Sequence, residues 1–365
     1  MIKINYPKNR NQFHKKYINS LGINNKMRIK FFNLMNNTSL KKFNLNNLDY
    51  LLISAFEELS KVAFSNTLTS RELKVLKKFF NYDLISKNKF QPKIKSFFEN
   101  ELAIKTCYFC NMDFVNSFED RNDYHNFEDF IKRADKKDLM KLKGIGTKKA
   151  DKIITERSNI NNSTIIQTLI QNNHKINIEE KYSHFTLDHV LDKGNYPLLA
   201  LSLYNFVPSC YSCNSKFKAT KQFINTSSMA YLSPTSDKFS FSDDVKFKLY
   251  FYNAKDISTI QDKNDYILDF SYSKNQSEYE KYIDTFKLKG RYIFHKDEVI
   301  NLLKKKERYS ASQLDEISSI VRISSEQIKK DIFGKELFES NIQDMSMAKF
   351  KQDVAKDIGL ISKSS

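Results

Sequence analysis

Long apolar runs are missing from this chain. The longest, residues 50–56 and 197–207, fall far short of the roughly 20 residues that a membrane-spanning helix needs. The start, Met1-Ile2-Lys3-Ile4-Asn5-Tyr6-Pro7, has no apolar core followed by a small-residue cleavage site, so it does not read as a signal peptide. A cytoplasmic location with no membrane partner is the expectation, and in that compartment disulfides are rare. Cysteine is scarce, with 4 in 365 residues, and glycine nearly so, with 7. No tandem repeat and no long low-complexity tract is visible. Acids are almost missing from the first fifty residues, where Asp49 stands alone against ten basic side chains.

What is present excludes whole-chain disorder. Hydrophobic residues make up 40% and aromatics 13%, enough to drive collapse, and the length implies two or more structural units. The net charge of +17 favours an anionic partner, nucleic acid or an acidic membrane surface. That excess is uneven. Residues 1–106 hold 20 basic and 7 acidic side chains, residues 107–222 hold 17 and 14, and residues 223–365 hold 23 and 22. The N-terminal third is therefore expected to lie along phosphates, the alternative being a solvated Lys/Asn-rich face. The near-neutral C-terminal part suits packing onto the core or a protein partner.

All four cysteines fall into two Cys-x-x-Cys pairs, Cys107/Cys110 and Cys210/Cys213. A two-residue spacer lets both thiolates of a knuckle face one ion, and two knuckles complete a closed tetrahedral shell, so a structural Zn²⁺ is expected. A redox pair would need only one of the motifs, and four ordinary buried thiols are the remaining alternative. Because 99 residues separate Cys110 from Cys210, something is inserted between the halves.

Around the second knuckle run His184-Phe185-Thr186-Leu187-Asp188-His189, then Asn205 shortly before Cys210, then Asn214 directly after Cys213. Asp188 offers a hard oxygen ligand and Asn214 a neutral one, a pair able to hold one Mg²⁺ or Mn²⁺ with positions open for water and phosphate. His189 has the titration range of a base that deprotonates attacking water. Taken singly, Asp188 and His189 read more readily as a surface pair, and the asparagines as turn or cap residues. Strand alternation puts His184 on the Asp188 face, as a further ligand or phosphate contact or as a packing residue. It also puts Asp188 and His189 on opposite faces unless the strand bends. Lys216, Lys218 and Lys221 follow on an expected helix, either gripping backbone or forming a solvated face.

Taken together these residues resemble the HNH endonuclease motif. The string TLDHVLDKGNYPLLALSLYNFVPSCYSCNSKFK is similar to a branch of bacterial HNH nucleases, as is the ending MAKFKQDVAKDIGL. The resemblance implies a ββα-metal core in which His189 is the general base, Asp188 and Asn214 hold the divalent metal, and Asn205 ties the loop that orients the histidine. Asn214 stands where many members have histidine, which leaves the metal preference open.

Residues 124–172, within the insertion, place apolar side chains at 139, 142, 145, 150, 153 and 154, two short amphipathic helices broken at Gly144 and Gly146. This looks like a helix-hairpin-helix module. Its Gly144-Ile145-Gly146 turn would present backbone N–H groups to a phosphate at the start of the second helix, with Lys148 and Lys149 adding charge. A structural or protein-binding hairpin is the alternative.

The expected architecture is α+β and mostly helical. It comprises a basic helical region at 1–105, a nuclease core at 106–222 and a C-terminal region at 223–365 of short strands, then helices. The alternating segments 245–251 and 266–270 are expected to pair, Pro92 to precede a helix leading into the first knuckle, and residues 286–292 to interrupt the C-terminal helices. The leading expectation is cleavage of duplex DNA in restriction or antiviral defence, under the control of a protein partner. The rivals are a non-catalytic zinc-stabilised nucleic-acid-binding protein and a ribonuclease effector.

Overall fold

The computed structural model describes residues 1–82, 90–120, 124–142, 144–171, 180–251, 259–339 and 342–361. The chain is mostly helical, with three two-stranded antiparallel sheets among the described residues. These are β1 (Ser117–Asp120) with β2 (Glu180–Ser183), β3 (Thr186–His189) with β4 (Phe206–Ser209), and β5 (Val245–Phe251) with β6 (Tyr266–Tyr272). Contacts divide the chain into two compact units, one of Met1–Asn116 with His184–Ser365 and one of Ser117–Ser183.

The larger unit begins with short helices at Arg10–Leu21, Asn25–Asn36, Leu48–Ile53, Phe56–Ser65, Ser70–Phe79 and Phe90–Glu101. The asparagine-rich composition serves as caps: Asn9, Asn24 and Asn47 each accept from a backbone N–H in the first turn that follows, satisfying donors a helix start leaves over. Apolar faces such as Phe13, Tyr17 and Leu21 or Leu48, Leu51 and Leu52 then enter a core shared by the N-terminal, knuckle and C-terminal segments. Pro92 lies inside the first turn of Phe90–Glu101 and not before it, where a missing N–H costs nothing. Several cations of the basic first fifty residues serve the unit itself: Lys16 pairs with Glu101, Arg28 with Asp49 and Lys42 with Glu72.

The alternating residues of the C-terminal region pair as their pattern predicts, with Phe247 opposite Phe270. The free edge of β5 is covered: the N–H groups of Phe247 and Leu249 donate to the carboxylates of Asp353 (3.0 Å) and Asp357 (2.9 Å) on the helix Ala348–Asp357. An open strand edge invites pairing with another chain, and this helix removes it. The expected interruption at 286–292 shrinks to Phe286 and Lys287, after which a helix resumes at Leu288–Ile293.

The smaller unit has its own core of Phe130, Ile131, Ala134, Leu139, Leu142, Ile145, Ala150, Ile153, Ile166 and Leu169. A helical turn at Lys136–Leu139 leads through Gly144, whose φ of 83° a β-carbon would strain, into a helix at Thr147–Glu156. Lys143 lies outside the described residues.

Candidate functional site

The four cysteines converge. Their sulfur atoms lie within 4.8 Å of one another, all buried, and none forms a disulfide. Zn–S bonds of about 2.3 Å in a tetrahedron require sulfurs slightly under 4 Å apart, so the cluster could hold a metal ion such as zinc. Each knuckle is locally closed. The Cys107 carbonyl accepts from Asn111 N–H (2.8 Å), the Cys210 carbonyl from Asn214 N–H (3.1 Å), and the Cys210 sulfur from Cys213 N–H (3.4 Å). Asn111 takes the left-handed conformation, φ 55°, and its buried side chain donates to the carbonyls of Ile342 (3.3 Å) and Met345 (3.0 Å).

Arg291 belongs to the cysteine cluster, and motif reading missed it. Its guanidinium donates to the sulfurs of Cys213 (3.2 Å) and Cys110 (3.5 Å) and to Asp113 (3.1 Å). Burial alone opposes its charge, but the neighbouring sulfurs outweigh burial and hold its pKa above the ordinary arginine value. A shell of four thiolates leaves a divalent ion with surplus negative charge, and Arg291 is placed to offset it.

From the second knuckle the chain turns back under β3. β3 and β4 pair with Asp188 opposite Val207 and His189 opposite Phe206, and a π-helical turn, Ser212–Lys218, follows. That wider winding, an arrangement that recurs at functional sites, brings two side chains to β3. Asn214 Nδ2 donates to Thr186 Oγ1 at 2.9 Å, and Lys218 Nζ donates to Asp188 Oδ1 (3.1 Å) and the His189 carbonyl (2.9 Å).

Asn205 works as a piece of backbone between the two strands. It is fully buried; its Oδ1 accepts from Leu191 N–H (2.8 Å), and its Nδ2 donates to the carbonyls of Leu191 (3.0 Å) and Leu199 (3.1 Å). The next carbonyl, of Ala200, lies 3.0 Å from His189 Nε2. A carbonyl only accepts, so Nε2 carries a proton there, and in a neutral ring the lone pair would be on Nδ1. The ring is also fixed edge-on to Tyr82, centroids 4.7 Å apart, and against Phe206 at 4.7 Å.

Asp188, His189 and Asn214 line one pocket of about 340 Å³ with Tyr82, Gln91, Lys95, Phe185, Asp192 and Lys193. β3 ends at His189, and the two neighbours that alternation would separate open onto the same cavity. Asp188 is 4% exposed; its Oδ2 is buried with no hydrogen-bond partner. Burial pushes its carboxyl up to about 6, with Lys218 opposing. An unsatisfied buried carboxylate oxygen is costly unless something binds it.

Three residues sit otherwise than expected. Lys218 is 1% exposed and holds Asp188 from within, so it is not a surface contact for phosphate; Lys216 and Lys221 are exposed. His184 precedes β3, in a bend whose N–H donates to the Asn116 carbonyl, and it is not among the pocket's lining residues, so the period-two placement fails. Ile145 is a core residue of the smaller unit whose N–H donates to the Leu142 carbonyl, so neither its side chain nor its amide is offered to a ligand. Around it Gly144, Gly146, Lys148 and Lys149 are exposed, no side chain caps the start of Thr147–Glu156, and Lys149 Nζ donates to the Gly144 carbonyl (3.0 Å).

No family model, curated protein or solved structure matches this chain. No helix among the described residues is long and apolar enough to cross a membrane.

Proposed function

We propose that the chain is a metal-dependent nuclease of the HNH kind, stapled by zinc at Cys107, Cys110, Cys210 and Cys213. The observation that carries this reading is the joint arrangement of His189, Asp188 and Asn214 on one pocket, with an unpartnered buried Asp188 oxygen. Asp188 and Asn214 would hold a Mg²⁺ or Mn²⁺ ion, which neutralises charge on the phosphate and aids the leaving oxygen. His189, whose Nε2–H donates a hydrogen bond to the Ala200 carbonyl, would receive the proton of the attacking water on Nδ1. Asn205 is a positioning residue: it ties Leu199, and so the neighbouring Ala200 carbonyl, to Leu191. Lys218 aligns Asp188 through Oδ1 and leaves Oδ2 for the metal.

The smaller unit supports a DNA substrate. Its uncapped helix start beside Gly144, Gly146, Lys148 and Lys149 suits a helix-hairpin-helix contact with backbone phosphate, which grips without reading bases. A role in restriction or antiviral defence, with a protein partner restraining the activity, agrees with such chemistry.

The test is incubation of the full chain with plasmid, single-stranded DNA and RNA in Mg²⁺ or Mn²⁺, beside His189→Ala. Divalent-dependent cutting of DNA that His189→Ala abolishes is the expected result. Tight, salt-dependent binding without cutting would favour the non-catalytic reading, and cutting confined to RNA the ribonuclease one.

A further inference from the structure

Two lysines at the pocket beside His189 have no part in the metal chemistry: Lys193 lies in the string that resembles the HNH motif but without an assigned role, and Lys95 lies outside it. Lys95 comes from the helix Phe90–Glu101, with its Nζ 5.7 Å from the centre of the Phe185 ring. Lys193 comes from the loop after β3, with its Nζ 4.7 Å from the centre of the Tyr82 ring. Both line the same cavity as Asp188, His189 and Asn214.

The rings under them are fixed, Tyr82 at 6% exposure and Phe185 at 2%, while both lysines are half-buried. A lysine over a ring face gains about 0.5–1 kcal/mol where solvent reaches it, and a stem already resting on a wall loses less freedom when its ammonium meets an anion. Among the described residues no carboxylate lies within ion-pair distance of Lys95, whereas Lys218 in the same corner is committed to Asp188. The buried rings serve as seats for the cations and offer no free face on which a base could stack.

We propose that Lys95 and Lys193 form a two-point clamp on the phosphodiester backbone of one nucleic-acid strand, seating phosphates next to the scissile one in front of His189. This deepens the nuclease reading and rests on it. The clamp reads charge and spacing along the backbone, so it is indifferent to base identity. It also ties the N-terminal region to the chemistry, because the helix Phe90–Glu101 supplies Lys95 and Gln91 to the pocket wall. Contacts to flanking phosphates persist from bound substrate to transition state, so the clamp acts on binding more than on the chemical step.

The experiment uses the full-length chain with Lys95→Ala, Lys193→Ala, Lys95→Arg and the double alanine variant. Cleavage of single-stranded DNA is measured in Mn²⁺, and binding of a short single-stranded DNA across a salt series is measured in the His189→Ala background. Each alanine is expected to raise KM about tenfold with kcat nearly unchanged, the scale of one charge-assisted hydrogen bond. Each should also flatten the slope of log affinity against log salt by about 0.7, the value for one phosphate contact on a single strand. Lys95→Arg should restore both. Unchanged KM and salt slope, in a protein whose cleavage still requires His189, would overturn the clamp and leave the nuclease reading standing. A fall in kcat with KM unchanged would overturn it as well. Full-rate cutting by His189→Ala would sink the nuclease reading itself, while the salt slopes would still report on the clamp.

Discussion

Two buried carboxylates in the larger unit have opposite surroundings. Glu72 closes the capping box of the helix Ser70–Phe79. It accepts from Ser39 Oγ (2.5 Å), Thr69 N–H (2.8 Å), Lys42 Nζ (3.0 Å) and Thr69 Oγ1 (3.0 Å). Those bonds, Ser39's foremost, pull its carboxyl down to about 2. Asp188 is as little exposed to solvent but lies much deeper in the protein; its Oδ1 is served by Lys218, its Oδ2 has no partner, and burial drives its carboxyl up to about 6. A fold that wants an acid for structure saturates it, as at Glu72. An acid left half-satisfied beside a cavity, as at Asp188, has a bonding position that the chain itself does not fill.

The largest effect would break both corners together. Stripping the metal from the cysteine cluster, or Cys213→Ser, is expected to unfold the larger unit, since structural zinc sites contribute on the order of 10 kcal/mol. Metal analysis and circular dichroism check this, and a stably folded zinc-free protein would show that the cluster is not the staple. His189→Ala separates the corners instead. Cleavage should fall by about 10²- to 10⁴-fold with melting temperature little changed, whereas Glu72→Gln should cut at the full rate. Equal losses in the two variants would erase the distinction between a structural and a functional acid.

Glu72→Gln is expected to cost about 1–3 kcal/mol near neutral pH, as a buried bonded charge is lost. The folded carboxyl lies below its ordinary value, so its stabilisation is complete above about 4.5 and fades as pH falls toward about 2. Denaturant melts of wild type and variant should therefore converge on acidification, and a constant gap would sink the assignment. Thr69→Ala, which deletes the N-cap and one bond to Glu72, should cost about 1 kcal/mol by the same melts. That is the smallest of these effects, because the other three bonds to Glu72 remain.

Features set by spacing and period were legible in the sequence. Paired Cys-x-x-Cys motifs announce a cluster that could hold one ion, alternation from Val245 predicts β5, and the glycines at 144 and 146 mark a turn. What could not be read depends on which way a side chain points once distant segments meet. Lys218 looks like any surface lysine on a basic helix, yet the π-helical winding of Ser212–Lys218 turns it inward. Arg291 lies 78 residues past Cys213, and Tyr82 and Lys95 belong to a region whose charge pattern suggested only a remote grip. His184 failed because a period-two argument assumes a continuous strand, and the chain bends between β2 and β3.

The buried side chain of Asn111 has a consequence for the order in which the molecule is made. The turn between Cys107 and Asp113 is held by the carbonyls of Ile342 and Met345 and by the backbone of Met347 and Lys349, more than 230 positions further along. A ribosome adding about 5–20 residues per second needs some ten seconds or more to reach them. Until then the first knuckle lacks its support, and the nascent chain cannot complete the scaffold that presents His189. On the proposed reading, the activity would therefore appear only after translation has passed the last stabilising segment of the chain.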